Sequence, residues 1–73
     1  MMTPKQLKIA KEALLEAIKI IGGQVRTGKK CKVSQPTVSG WVARGYSPTG
    51  QVLTLQKESG IPRHRLRPDI YPD

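Results

Sequence analysis

Leu7, Ala10, Leu14, Ala17, Ile18 and Ile21 recur at steps of three and four, while Lys5, Lys8, Lys11, Glu12, Glu16 and Lys19 fill positions between them. That spacing gives an α-helix one apolar side and one charged side. The ends are marked as well. Thr3 can cap, Pro4 suits the first helical position, and Gln6 is placed to reach back as in a capping box. Gly22-Gly23 supplies a left-handed stop, so the pattern predicts a helix over 4–21. Ile9, Ala13, Leu15 and Ile20 then leave more apolar surface than one small domain needs. Two expectations follow: the N-terminal half of the helix packs across a homodimer interface, or the later helices wrap around it.

The same reading continues downstream. Val25, Gly28 and Cys31 fall at steps of three, giving a short helix over 24–31 with one inward side. Ser34 can cap a new helix, Pro36 is tolerated in its first turn, and Gly45 ends it, so 35–44 is the third helix. Val38, Trp41 and Val42 form its narrow apolar face. Ser47-Pro48 repeats the cap and first-turn pairing and predicts a helix over 48–59 through Val52, Leu53 and Leu55, stopped by Gly60. Ile61-Pro62 restarts the chain for one turn over 62–67, and Pro68 prevents its continuation. A tail over 68–73 remains, in which Ile70 and Tyr71 can fold back on the first helix. The fold class is all-α, a compact bundle of four to five helices in a single domain over 1–73. At this length only about 60% of the unfolded chain's surface is buried, which predicts marginal stability.

The third helix is chemically unusual for this chain. There are 13 basic residues against 5 acidic ones, a net charge of +8, which points to nucleic acid ahead of a membrane surface or an acidic protein. Yet Gln35, Pro36, Thr37, Ser39, Gly40 and Ala43 are small or polar and uncharged. Such a face suits a major groove. Two helices crossing steeply also need a small residue where their backbones meet, and Gly28 is placed for that, so 24–45 reads as a helix-turn-helix. Base contacts are then expected from Gln35, which can bond adenine through both ends of its amide, and from Thr37 and Ser39. Pro36 and Gly40 are expected to supply shape and thymine-methyl contacts. Arg26, Thr27, Lys29, Lys30 and Arg44 are the phosphate candidates, and Ser34 divides its hydroxyl between cap and phosphate. About 6 such contacts would give log K a slope near −5 against log salt. Trp41 shares the apolar side with Val38 and is assigned to packing, not base stacking.

Other chemistry finds little support. Cys31 is the lone cysteine, read as a small core residue in a reducing cytoplasm. His64 stands alone among Arg63, Arg65 and Arg67, on a basic turn that is itself a candidate contact to DNA or a partner, so no metal and no cofactor is expected. Glu12, Glu16, Glu58, Asp69 and Asp73 form no evident acid/base pair, which argues against an enzyme. No apolar stretch approaches the roughly 18 residues of a membrane span, and no secretory leader is evident.

Gln24, Gly28, Cys31, Val33, Ser34, Gln35, Val38 and Trp41 resemble the helix-turn-helix of lambdoid phage repressors and Cro proteins. Together with GGQ at 22–24, SQPTVSGWVARG at 34–45 and RHRLRPDIYP at 63–72, they make the chain similar to the YdaS-like family of small Cro-like regulators. The resemblance implies a lambda-repressor-like domain that binds double-stranded operator DNA and represses a prophage or toxin–antitoxin locus, on the nucleoid of a bacterial or phage-infected cell. It also places Gln24 at a backbone-clamping position. Two positions depart from the family pattern: Lys32 stands where the inter-helix turn usually has Gly, and Arg26-Thr27-Gly28 replaces a more alanine-rich run. From another class comes a protein-interaction module that binds a toxin or regulator through the first helix. An RNA binder ranks third, for want of exposed aromatic platforms.

Overall fold

In the computed structural model, which describes residues 2–72, the first helix, α1, spans Pro4–Ile21. Its start is a complete capping box: the Thr3 hydroxyl accepts from the Gln6 amide at 3.1 Å, and the Gln6 side chain accepts from the Thr3 amide at 2.9 Å. Gly22, at φ 118°, ends it, a backbone angle that side-chain-bearing residues rarely adopt. The inward face carries Ala10, Ala13, Leu14, Ala17 and Ile18. Ala13 is therefore core and not part of a surplus apolar face. Ile9 is half-buried, and of that group only Leu15 and Ile20 stay exposed.

The second and third helices, α2 (Gln24–Cys31) and α3 (Gln35–Arg44), pack on one another across a three-residue turn. Gly28 is the point of closest approach. A Cβ built there would lie 2.7 Å from the Val33 carbonyl oxygen, while the Val33 amide donates to the Gly28 carbonyl at 2.8 Å. The inward side of α2 differs from the expected one. Val25 is 58% exposed, and Thr27 is fully buried beside Gly28 and Cys31. Thr27 passes as a core residue because its hydroxyl donates to the Gly23 carbonyl at 2.8 Å, which removes the penalty for an unpaired buried donor.

Lys32 closes α2 at φ 60°, ψ 42°, the only non-glycine residue with positive φ among those described. A left-handed conformation costs an L-residue roughly 1–2 kcal/mol. Lys32→Gly is expected to stabilise the fold by about 1 kcal/mol, raising the midpoint of thermal unfolding by roughly 4–8 °C. A lowered midpoint in calorimetry would mean that the lysine side chain contributes more than its backbone costs.

Beyond Gly45, itself at φ 92°, the chain departs from the expected helix over 48–59. A 3₁₀ turn, Thr49–Gln51, precedes α4, Val52–Ser59. Ser47 does not act as a helix cap. It is fully buried, its hydroxyl has no hydrogen-bond partner, and its carbonyl accepts from Arg67 Nη1 at 2.8 Å. The last helix, α5, is the short Arg63–Leu66. The described residues thus form five α-helices and no strand. Their common core is Leu14, Ala17, Ile18, Cys31, Val38, Trp41, Val52, Leu55, Ile61 and Leu66 with Ala13, flanked by Ile21, Val33, Val42 and Tyr71. Each fully buried aliphatic side chain contributes about 1.5–3 kcal/mol. Burial, with the Glu58 charge adding to it, pushes the Cys31 thiol up, away from the reactive thiolate.

The tail is held largely through Arg67, whose carbonyl accepts from the Ile70 and Tyr71 amides at 3.1 and 2.9 Å. Arg67 donates to both carboxylate oxygens of Asp69, at 3.0 and 2.8 Å, and its guanidinium lies 4.9 Å from the Tyr46 ring centre. The hydrogen bonds from Arg67 hold the Asp69 carboxyl below the usual carboxylate range. Tyr71 folds back, half-buried, with Arg63 over its ring at 5.2 Å, whereas Ile70 stays exposed.

Candidate nucleic-acid interface

Val38 and Trp41, buried under α3, fix which side of that helix faces outward. Gln35, Pro36, Thr37, Ser39, Gly40, Ala43 and Arg44 are all exposed. The helix starts at Ser34, whose hydroxyl accepts from the Thr37 amide at 3.4 Å and lies 2.9 Å from the Thr37 hydroxyl. Two base-contact and phosphate candidates are thereby held together at one helix end.

Gln24 and Gln35 open α2 and α3 and meet there. The Gln35 Nε2 donates to the Gln24 Oε1 at 2.5 Å. Sequence reasoning assigned each glutamine a task but not this contact, although both stand at the first position of adjacent helices. The pairing orders the Gln35 side chain and leaves its carbonyl oxygen and second amide hydrogen outside the contact. That remaining donor and acceptor match the N7 acceptor and N6 donor of adenine. Gln24 keeps its NH₂ group, two donors suited to a phosphate oxygen.

Basic residues lie further along both helices. Arg26, Lys29 and Lys30 line an open depression of about 520 Å³ on α2. Lys30 is also 3.6 Å from Glu58, which offsets part of its charge. Arg44, at the end of α3, donates from Nε to the Tyr46 carbonyl at 3.1 Å and lies over the Tyr46 ring at 4.8 Å. Tyr46 thus sits against two arginines, a role its position in the sequence did not reveal. Thr27 is a correction: fully buried, with its hydroxyl on Gly23, its side chain is closed to a phosphate. The C-terminal basic turn is likewise engaged internally. Arg65 pairs with Glu16 at 3.0 Å, Arg67 holds Asp69, and Arg63 covers Tyr71.

Gly40 stands apart from the other glycines. It lies inside α3 with ordinary helical φ, exposed, and a Cβ added there would meet nothing within 4 Å. A glycine inside a helix costs about 1 kcal/mol relative to alanine.

The family model described as bacterial toxin YdaS matches residues 14–73. The chain belongs to that family. The YdaS match starts within α1 and takes in all of α2, α3, α4 and α5, so the Gln24–Gln35 pair and the basic depression both lie inside it. Membership relates this YdaS-family chain to the small proteins of toxin–antitoxin systems. No curated protein and no solved structure matches the chain. Among the described residues of the YdaS-family chain, no helix is long and apolar enough to cross a membrane.

Proposed function

We propose that this chain is a sequence-specific DNA-binding regulator, a repressor of a toxin–antitoxin or prophage locus, that lays α3 in the major groove of its operator. The observation that carries the reading is the Gln24–Gln35 amide pair at the start of the exposed, polar face of α3, with the basic residues Arg26, Lys29 and Lys30 further along α2. In this reading Gln35 reads adenine, Thr37 and Ser39 add contacts to neighbouring base edges, and Gln24 and Ser34 bond phosphates with neutral donors. Only Arg26, Lys29, Lys30 and Arg44 then displace counterions. Four cations correspond to a slope of roughly −4 in log K against log salt, shallower than the −5 expected when six contacts were all counted.

Selection of bound duplexes from a random library tests this, followed by titration of the selected duplex and scrambled DNA at physiological salt. A preference of about a thousandfold or more supports specific regulation. Equal, steeply salt-dependent binding to every duplex would overturn it and leave a charged protein-interaction module as the reading to pursue.

A further inference from the structure

Three arginines of the C-terminal turn are taken up inside the molecule: Arg63 on Tyr71, Arg65 on Glu16 and Arg67 on Asp69. Arg44 is different. It ends α3, is exposed, and pairs with no carboxylate among the described residues, yet its side chain is held at two points. The Nε–H donates to the Tyr46 carbonyl at 3.1 Å, and the guanidinium carbon lies 4.8 Å from the centre of the Tyr46 ring, inside the roughly 6 Å range of a cation–π contact. An exposed arginine ordinarily keeps its rotamer freedom. This one is ordered without an internal counter-charge.

The ring that holds it is itself fixed. The Tyr46 amide donates to the Trp41 carbonyl at 3.2 Å, which ties the residue to the last turn of α3, and the Arg67 guanidinium lies 4.9 Å from the ring centre. Arg67 in turn donates to both carboxylate oxygens of Asp69 and to the Ser47 carbonyl. The Asp69 carboxylate offsets the charge of Arg67, so a second cation near the ring does not drive Arg44 away.

We infer that Tyr46 is a positioning residue for DNA: it presents the Arg44 guanidinium to a backbone phosphate at the edge of the groove that α3 enters. The inference rests on the DNA reading above and adds to it a residue outside the helix-turn-helix. Thr37, Gly40 and Arg44 follow at steps of three and four, which puts Arg44 on the exposed side of α3 that carries Thr37. From Gln35 to Arg44 the helix runs about 14 Å, against a major groove about 12 Å wide, so a helix that reads bases at its start carries Arg44 out to the sugar–phosphate backbone. Tyr46 engages Nε alone, and the edge formed by the two Nη groups matches two phosphate oxygens.

The experiment uses the full chain and its selected duplex, titrated at several salt concentrations. Tyr46→Phe keeps the ring and is expected to bind within twofold of the parent. Tyr46→Leu removes the ring, so Arg44 must be ordered on binding, and affinity is expected to fall roughly threefold to tenfold with the salt slope unchanged. Arg44→Ala is expected to make that slope shallower by about 1, and in its background Tyr46→Leu should cost nothing further. On the parent alone, nuclear magnetic relaxation of the Arg44 Nε–H should show the same restricted motion with and without DNA, a readout that does not depend on any variant folding.

An equal loss from Tyr46→Leu in the Arg44→Ala background overturns the inference, since the ring would then act through the fold or on DNA itself. A loss in Tyr46→Phe as large as in Tyr46→Leu overturns it too, by making the hydroxyl the contact. So does an Arg44 Nε–H that is mobile in the free parent. All three leave the DNA reading intact. A parent chain that shows no preference for any duplex overturns both, and its own titration tells the two failures apart.

Discussion

Gln35→Ala is expected to weaken binding to the selected duplex by about 10–100-fold while changing binding to scrambled DNA little. A bidentate contact to adenine is worth about 1–3 kcal/mol of discrimination, and the preorganised amide puts the estimate toward the upper part of that range. Gln35 is exposed and lies outside the apolar core, so the far-ultraviolet circular dichroism and unfolding midpoint of the variant should match the parent. Gln24→Ala tests the pairing separately. It removes the acceptor that holds Gln35 together with the proposed phosphate donor, so both specific and scrambled affinities should fall. In a double-mutant cycle the two substitutions should be less than additive, since each one abolishes the same amide contact. Strict additivity would mean that the two glutamines act on DNA independently, and an undiminished preference in Gln35→Ala would remove adenine readout from this residue.

The largest effect on stability is expected at Gly28. A Cβ there would stand 2.7 Å from the Val33 carbonyl oxygen and 3.4 Å from the Ser34 carbonyl carbon. Both are backbone atoms of the turn, and neither can swing aside as a flexible side chain would. Relief requires α2 and α3 to separate, which strains the Val33–Gly28 hydrogen bond and loosens Val38 and Trp41 beneath α3. Overpacking of this kind costs about 2–3 kcal/mol, against a small opposing gain in helix propensity. For a chain of 73 residues this corresponds to an unfolding midpoint lowered by roughly 10–20 °C. An unchanged midpoint in Gly28→Ala would show that the two helices do not need this contact.

Gly28 was legible in the sequence because it sits where two helix backbones must cross, and the limits of α1, α2 and α3 were legible from their ends. Thr3, Pro4 and Gln6, then Ser34 and Pro36, then Gly22 and Gly45, are local signals whose physics needs no tertiary partner. The failures lie where tertiary contact outweighs local propensity. Ser47-Pro48 carries the same cap signal as Ser34-Gln35-Pro36, yet Arg67 takes the Ser47 carbonyl from twenty residues away and the serine is buried. Val25 and Thr27 exchanged their expected places because hydropathy scores a threonine as polar, whereas Gly23 satisfies its hydroxyl locally. In the site, the residue types and the outward face of α3 followed from periodicity. The Gln24–Gln35 bond and the two arginines against Tyr46 did not, since each joins side chains from different elements.

Trp41 is the single tryptophan of the chain, and it lies 4% exposed on the inner side of α3, with Gln35, Thr37 and Ser39 exposed on the outer side. The molecule therefore carries its own optical probe between the core and the helix of the candidate interface. Indole emission moves to longer wavelength when water reaches the ring, so loosening of α3 from the core registers without any added label. The Gly28, Lys32 and Gln35 substitutions can all be ranked by that one signal, since none of them alters the fluorophore.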